Sequence, residues 1–201
     1  MKFNPQKTWF GSDAHHFHRN ILRYSNRPFD SVEEMNEALI NNHNAVVKPD
    51  DAYFHLGDFS FSGIENTLNV LRRLNGKKYF ILGNHDQVLQ KNRKRIFDEG
   101  LLEELRDYKE IYVGNQFICL FHYGCRVWNK SHRNAWLLHG HSHGSIPPFG
   151  KSVDVGTDAP FVLEYCPYRP YSFYEIKDFM DKQETKDDED HHKVKQNENI
   201  N

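Results

Sequence analysis

The chain has 201 residues, 38% of them hydrophobic and 27% charged, and its 26 Lys and Arg against 28 Asp and Glu give a formal net charge of −2. That length suits one domain with a sizeable core, and the near-neutral balance excludes a global pull toward nucleic acid or a membrane surface, so any attraction for anions must be local. No apolar run reaches the length of a membrane span, and Cys119, Cys125 and Cys166, odd in number and without CxxC spacing, argue against a disulfide framework or a cysteine-based zinc knuckle.

The N-terminal stretch MKFNPQKTWFGSD lacks an apolar segment ending in small residues, so no secretory leader is expected and a reducing cytoplasm is the natural compartment. Lys7 to Ser12 reads as a short strand opening into the His-rich loop DAHHFHRN. Pro28 marks a turn, and Ser31 followed by Glu34 is a capping box for a helix over about 32–47, with Met35, Leu39, Val46 and Val47 near helical spacing. AYFHLGD is a second strand. A second helix over 64–74 follows from Ile64, Leu68, Leu71 and Leu74 on one face, stopped by Gly76. KKYFILGNHD is a third strand. This alternation argues for right-handed crossovers around a largely parallel sheet.

The second half changes character. RDYKEIYVGNQFICLFHYG reads as two strands around Gly114-Asn115, NAWLLHGHSHG and KSVDVGTD as two more, and a short helix is expected over about 172–182. The predicted fold class is α/β, with two packed mixed β-sheets flanked by helices in a four-layer α/β/β/α sandwich. One domain is expected over 1–180. Residues 181–201 are polar and free of aromatics, which predicts a disordered tail.

The predicted strand ends carry the chemistry. They deliver Asp13 and His15 as Asp-x-His, Gly57-Asp58, Gly83-Asn84-His85-Asp86, then His122, then His141 and His143 as Gly-His-x-His. Oxygen and imidazole donors without thiolate suit Mn²⁺, Fe, Zn²⁺, Ni²⁺ or Co²⁺ better than Ca²⁺ or an all-oxygen Mg²⁺ site. Even seven of these donors exceed the needs of one tetrahedral ion but serve two ions if a carboxylate bridges them.

These five motifs, in this order from about Trp9 to Asp158, resemble the calcineurin-like metallophosphoesterase superfamily, and the intervening text resembles its small prokaryotic and phage members. The resemblance implies a dinuclear, metal-dependent phosphoesterase acting on phosphodiester or nucleotide-type bonds through a metal-bridging hydroxide. It implies two divalent ions, manganese first, with iron, zinc, nickel, cobalt or magnesium as substitutes. Asp13, His15 and His143 would hold one ion, Asn84, His122 and His141 the other, and Asp58 would bridge them. His85 would contact phosphate and protonate the leaving oxygen. Asp86 would either steady the His85 imidazolium or cap the next segment.

Further expectations surround that core. His18, Arg19 and Arg27 are candidate substrate-binding residues, against the alternative of a solvated basic face. His16, His55 and His139 read as structural, Trp128 as packing, and Lys91 to Arg95 as a charged helix face. The expected partner is a phosphoester: a small phosphodiester, a nucleotide or a nucleic-acid end. The alternatives are a catalytically weak binding module of the same fold, or a phosphomonoesterase or protein phosphatase.

Overall fold

A computed structural model describes residues 1–159 and 168–185. Cys166 and all but the first five residues of the predicted tail lie outside the described residues; Asp181 itself closes the last helix. The elements in chain order are β1 (Lys2–Phe3), β2 (Thr8–Gly11), α1 (Ile21–Tyr24), α2 (Val32–Val46), β3 (Ala52–His55), α3 (Ile64–Arg73) and β4 (Lys77–Ile81). Then come α4 (Gln87–Lys91), α5 (Arg93–Asp98), β5 (Glu104–Arg106), β6 (Tyr108–Val113), β7 (Gln116–Phe121), β8 (Trp136–His139), β9 (Ser152–Asp154), β10 (Tyr171–Ser172) and α6 (Phe173–Asp181).

The strands form two mixed sheets, as the sequence predicts, each of five strands, with β1, β5 and β10 added to the seven expected ones. The first runs β10-β2-β3-β4-β5, with β2 to β5 parallel and β10 antiparallel on the edge. The second runs β1-β6-β7-β8-β9, where β6 and β7 form the expected hairpin and β7, β8 and β9 are parallel. Val113 pairs with Gln116 across a two-residue turn, for which Gly114 supplies φ 58°.

Alternation along the strands sets the layers. Phe10, Phe54 and Ile81 point one way, into a core shared with Ile118, Leu120, Trp136 and Leu138 of the second sheet. Their neighbours Tyr53 and Phe80, with Leu105, point the other way, against Ile40, Leu68, Leu71, Leu89 and Ile96 of the helices. Helix α6 enters the inter-sheet core through Phe173, Ile176 and Met180. Over the outer face of the second sheet lies the segment before β8, where Lys130 sits above the Phe117 ring and Asn129 O accepts from Cys119 Sγ. Trp128 is half-buried and donates from Nε1 to Ala135 O at 3.0 Å, which ties it to the residue before β8.

Local signals explain the helix starts. Ser31 Oγ accepts the Glu34 amide at 3.1 Å, while the Glu34 carboxylate takes the amide of Asp30 rather than that of Ser31. Ser172 and Glu175 form a reciprocal capping box on α6. No helix among the described residues is long and apolar enough to cross a membrane.

Candidate metal centre

Parallel strands point their C-terminal ends the same way, so the loops after β2, β3 and β4 of one sheet meet those after β7 and β8 of the other. Backbone hydrogen bonds stitch these loops together: the Asp13 amide donates to Gly57 O at 2.9 Å, His15 to Asp58 O at 3.0 Å, and Thr157 to Ser12 O at 2.9 Å. Ser12 and Gly156 form an isolated parallel bridge between the two halves.

Two donor triads result, each with its potential ligand atoms within 4.8 Å of one another: Asp13, His15 and His143; and Asp58, His122 and His141. Asp58 faces both. Its Oδ2 lies 3.9 Å from His15 Nε2, and its Oδ1 lies 3.7 Å from His122 Nε2. Asp13 Oδ1 lies 3.6 Å from His15 Nε2 and 3.9 Å from His143 Nε2. These separations exceed a hydrogen bond, whereas two donors each about 2.1 Å from one ion stand roughly 3–4 Å apart. Asn84 Oδ1 approaches His122 Nε2 at 3.1 Å, beside the second triad.

The donor chemistry fits divalent cations. Among the described residues Asp13 Oδ1 and His15 Nε2 are buried without a hydrogen-bond partner, a costly arrangement that a cation would relieve. Burial alone would raise the pKa of Asp13, yet the surrounding imidazoles of His15, His143 and His122 hold its carboxyl well below the usual range. Burial pushes His15 down, toward the neutral form that ligates, against the pull of Asp13. His122 donates from Nδ1 to Leu56 O at 2.7 Å, and His143 Nδ1 lies 2.8 Å from Asp158 Oδ1. Each contact fixes the tautomer that leaves Nε2 free to coordinate.

The backbone is strained at these residues. Asp13, His15, Asp58, His141 and His143 have φ of 55°, 52°, 56°, 66° and 45°, the left-handed region that costs a side-chain-bearing residue about 1 kcal/mol or more. Strain of this kind persists only where surrounding structure enforces it, and it clusters at functional sites. Glycines make the close approach feasible. A Cβ on Gly83 would lie 2.2 Å from Asp58 Oδ1, and one on Gly140 would lie 2.2 Å from Asp13 Oδ2.

No family model matches the sequence. The uncharacterized protein MJ1445 of Methanocaldococcus jannaschii is 33% identical over 174 residues, covering 81% of this chain and 86% of that protein. The gene 66 protein of Mycobacterium phage L5 is 36% identical over 180 residues, covering 76% of this chain and 86% of the phage protein. The chain belongs to the family of these two proteins.

Among solved structures, a protein of unknown function, AQ665 from Aquifex aeolicus, aligns with a TM-score of 0.62 and 25% identity over 86% of this chain and 98% of its own. The two-sheet fold is therefore shared. An archaeal phosphodiesterase aligns at TM-score 0.45 and 18% identity over 79% of this chain and 86% of its own, too loosely to carry an argument.

Several expected residues take other places in this family member. Asp86 does not partner His85. Its carboxylate is buried and accepts the backbone amides of Asp58 at 2.8 Å, Phe59 at 2.9 Å and Gly83 at 2.8 Å, tying the loop after β4 to the loop after β3. Burial pushes its pKa up to about 6, against the lowering effect of those amides. Nor does its side chain cap α4.

Arg27 is likewise no substrate fork. Only 4% exposed, it donates from Nε to Asp158 Oδ2 at 2.9 Å and from its two terminal nitrogens to Ala14 O at 2.8 Å and Asp13 O at 2.7 Å. It buttresses the loop that carries Asp13. Arg19 is exposed on the loop after β2. His18 is half-buried, its Nδ1 3.4 Å from His15 Nδ1 and its ring stacked on Phe61 at 3.9 Å. His16 and His55 are buried, and His139 Nδ1 contacts Gly140 O, as structural histidines.

Three residues escaped the sequence reading. Asp158 joins His143 to Arg27. Asp154 accepts from the Ser142 hydroxyl at 2.5 Å and the Gly144 amide at 3.0 Å, shaping the Gly-His-x-His loop. Phe61 packs against His15, His18 and His85, with centroids at 4.9, 3.9 and 4.5 Å. Asp154 and Asp158 stand in DVGTD, a text whose acidic residues the motif pattern does not single out.

Proposed function

We propose that the chain is a dinuclear metal-dependent phosphoesterase of the calcineurin-like superfamily, acting on phosphodiester or nucleotide-type substrates. One observation carries the reading: the Asp58 carboxylate turns one oxygen toward His15 and the other toward His122, between two oxygen-and-imidazole triads. A carboxylate can serve two cations at once, which an imidazole with one free lone pair cannot. Asp13, His15 and His143 would hold one cation, and Asn84, His122 and His141 the other, with Asp58 shared. Two divalent cations held there supply Lewis acidity toward phosphoryl oxygens and lower the pKa of water.

The protein's own groups do the rest. The His85 amide donates to Asp58 Oδ1 at 2.9 Å, which sets the His85 side chain next to the shared ligand. Its ring is exposed and packs on Phe61 with centroids 4.5 Å apart, 6.3 Å from His15. That position suits a group that meets substrate from the solvent side and gives a proton to the departing oxygen. Asp86 keeps the two loops in register, and Asp158 and Leu56 O orient His143 and His122.

The test is hydrolysis of bis-p-nitrophenyl phosphate after EDTA stripping and readdition of divalent metal. Turnover restored by Mn²⁺ is the expected result. Absence of turnover with every divalent metal tried would overturn the reading in favour of a binding module on the same fold.

A further inference from the structure

A cleft of about 270 Å³ opens beside Asn84, between the loop after β4 and the end of β7. Gln87, Gln90, Asp107, Phe121 and Tyr123 line it, together with Asn84 and the buried Asp86. Its size is near the lower end of small-molecule sites, which start at about 300 Å³, so it takes one ring-bearing group rather than an extended chain.

The lining is specific in its chemistry. Among the described residues no Lys or Arg lines the cleft, and with Asp86 committed to three backbone amides, Asp107 is the carboxylate left to face an occupant. A second phosphate would meet a carboxylate and no cation. Hydroxyl groups are the natural complement of that carboxylate, which has no proton to donate and up to four acceptor positions. Gln90 offers both a donor and an acceptor. The Phe121 and Tyr123 rings, packed edge-to-face with centroids 5.4 Å apart, add aromatic surface beside these polar groups. The combination matches an uncharged sugar carrying a planar base.

Asn84 joins this cleft to the metal centre, whereas His85 and Phe61 do not line it. Resting on the phosphoesterase reading, we infer that the cleft holds the nucleoside that stays on phosphorus, while the alcohol on the His85 side departs. In that reaction the phosphorus–oxygen bond to the alcohol breaks and one from water forms. The alcohol oxygen takes up a proton, and a nucleoside monophosphate is released. Substrates with a further phosphate in place of the nucleoside are rejected by Asp107.

The experiment has two arms. In the first, the p-nitrophenyl ester of thymidine 5′-phosphate is compared with bis-p-nitrophenyl phosphate, which shares its leaving group. The wild-type enzyme should prefer the thymidine ester in kcat/KM, and Asp107→Lys should cut that preference about ten-fold; an unchanged ratio overturns the inference. In the second arm, thymidine alone is added to EDTA-treated protein and followed by saturation-transfer NMR. Transfer is expected in the wild type and lost in Asp107→Lys, and no transfer in the wild type also overturns the inference. If neither ester is cleaved with any metal, the phosphoesterase reading fails by itself, and the thymidine arm still decides what the cleft binds.

Discussion

Arg27→Met tests whether this arginine supports the site or touches substrate. The wild-type guanidinium is 4% exposed and donates to one carboxylate and two backbone carbonyls, at 2.9, 2.8 and 2.7 Å. Methionine fills much of the space but donates nothing. Removing one member of a buried ion pair costs about 3–5 kcal/mol, because the remaining charge stays desolvated. His143 still faces Asp158, which softens that loss, but the carbonyls of Asp13 and Ala14 lose their donors at about 1 kcal/mol or more each. A net loss of about 4 kcal/mol is expected, which for a chain of this size lowers Tm by roughly 10 °C. Urea denaturation of the metal-free protein measures it directly. Arg27→Lys should recover part of the loss, since an ammonium keeps the charge but not the fork. A loss below about 1 kcal/mol, accompanied by a raised KM on a phosphoester, would refute the buttress role and restore phosphate binding.

Three other outcomes follow from the same geometry. Asp58→Ala deletes the shared carboxylate and should abolish hydrolysis and release at least one ion; two ions per chain retained in elemental analysis would contradict the bridging role. His85→Ala should keep both ions yet slow esters with alkoxide leaving groups by about 100-fold more than nitrophenyl esters, whose leaving group needs no proton; equal losses would reject the acid role. Stability should fall as pH drops below 6.5. Burial holds the folded-state pKa of His16 and His55 at about 3 and of His43 at about 4, below the ordinary 6.5, so the unfolded chain binds three more protons at these sites near pH 5. Asp86, raised to about 6, works the other way by one proton. Over these four groups the net of about two protons contributes a loss of about 2–3 kcal/mol per pH unit around pH 5. His43→Gln should flatten the slope measured by chemical denaturation, and a wild-type profile flat from pH 6.5 to 4.5 would refute the burial of neutral imidazoles.

Much of the fold was legible because its long elements carry strong periodic signals. The helix from Ser31, the strands ending at His55, Ile81 and Phe121, and the Gly114 hairpin all stand close to their expected bounds. The pieces that escaped are short. β1 and β10 are two residues each, and their pairing depends on β6 and β2, which lie far away in sequence. The donors were visible as motifs at strand ends, and those motifs fall where two sheets converge. What supports them was not visible, because an arginine that grips a backbone carbonyl and one that grips phosphate look alike in a sequence. The sequence places Arg27 against substrate and Asp86 against His85 or at a helix start, whereas both hold the loops beneath the site. Asp158 stands in no recognisable spacing, since its partners come from residues 27 and 143.

Each triad draws side chains from both sheets: Asp13 and His15 with His143, and Asp58 with His122 and His141. A cation in either would act as a rivet across the seam of the sandwich, reinforcing the few hydrogen bonds and the Arg27–Asp158 pair that already join the halves at that end. Chelators should therefore loosen the molecule as well as silence it, and heat tolerance should climb with the logarithm of free metal. A cell short of that metal would hold a protein that is softer at the mouth and more open to proteases there.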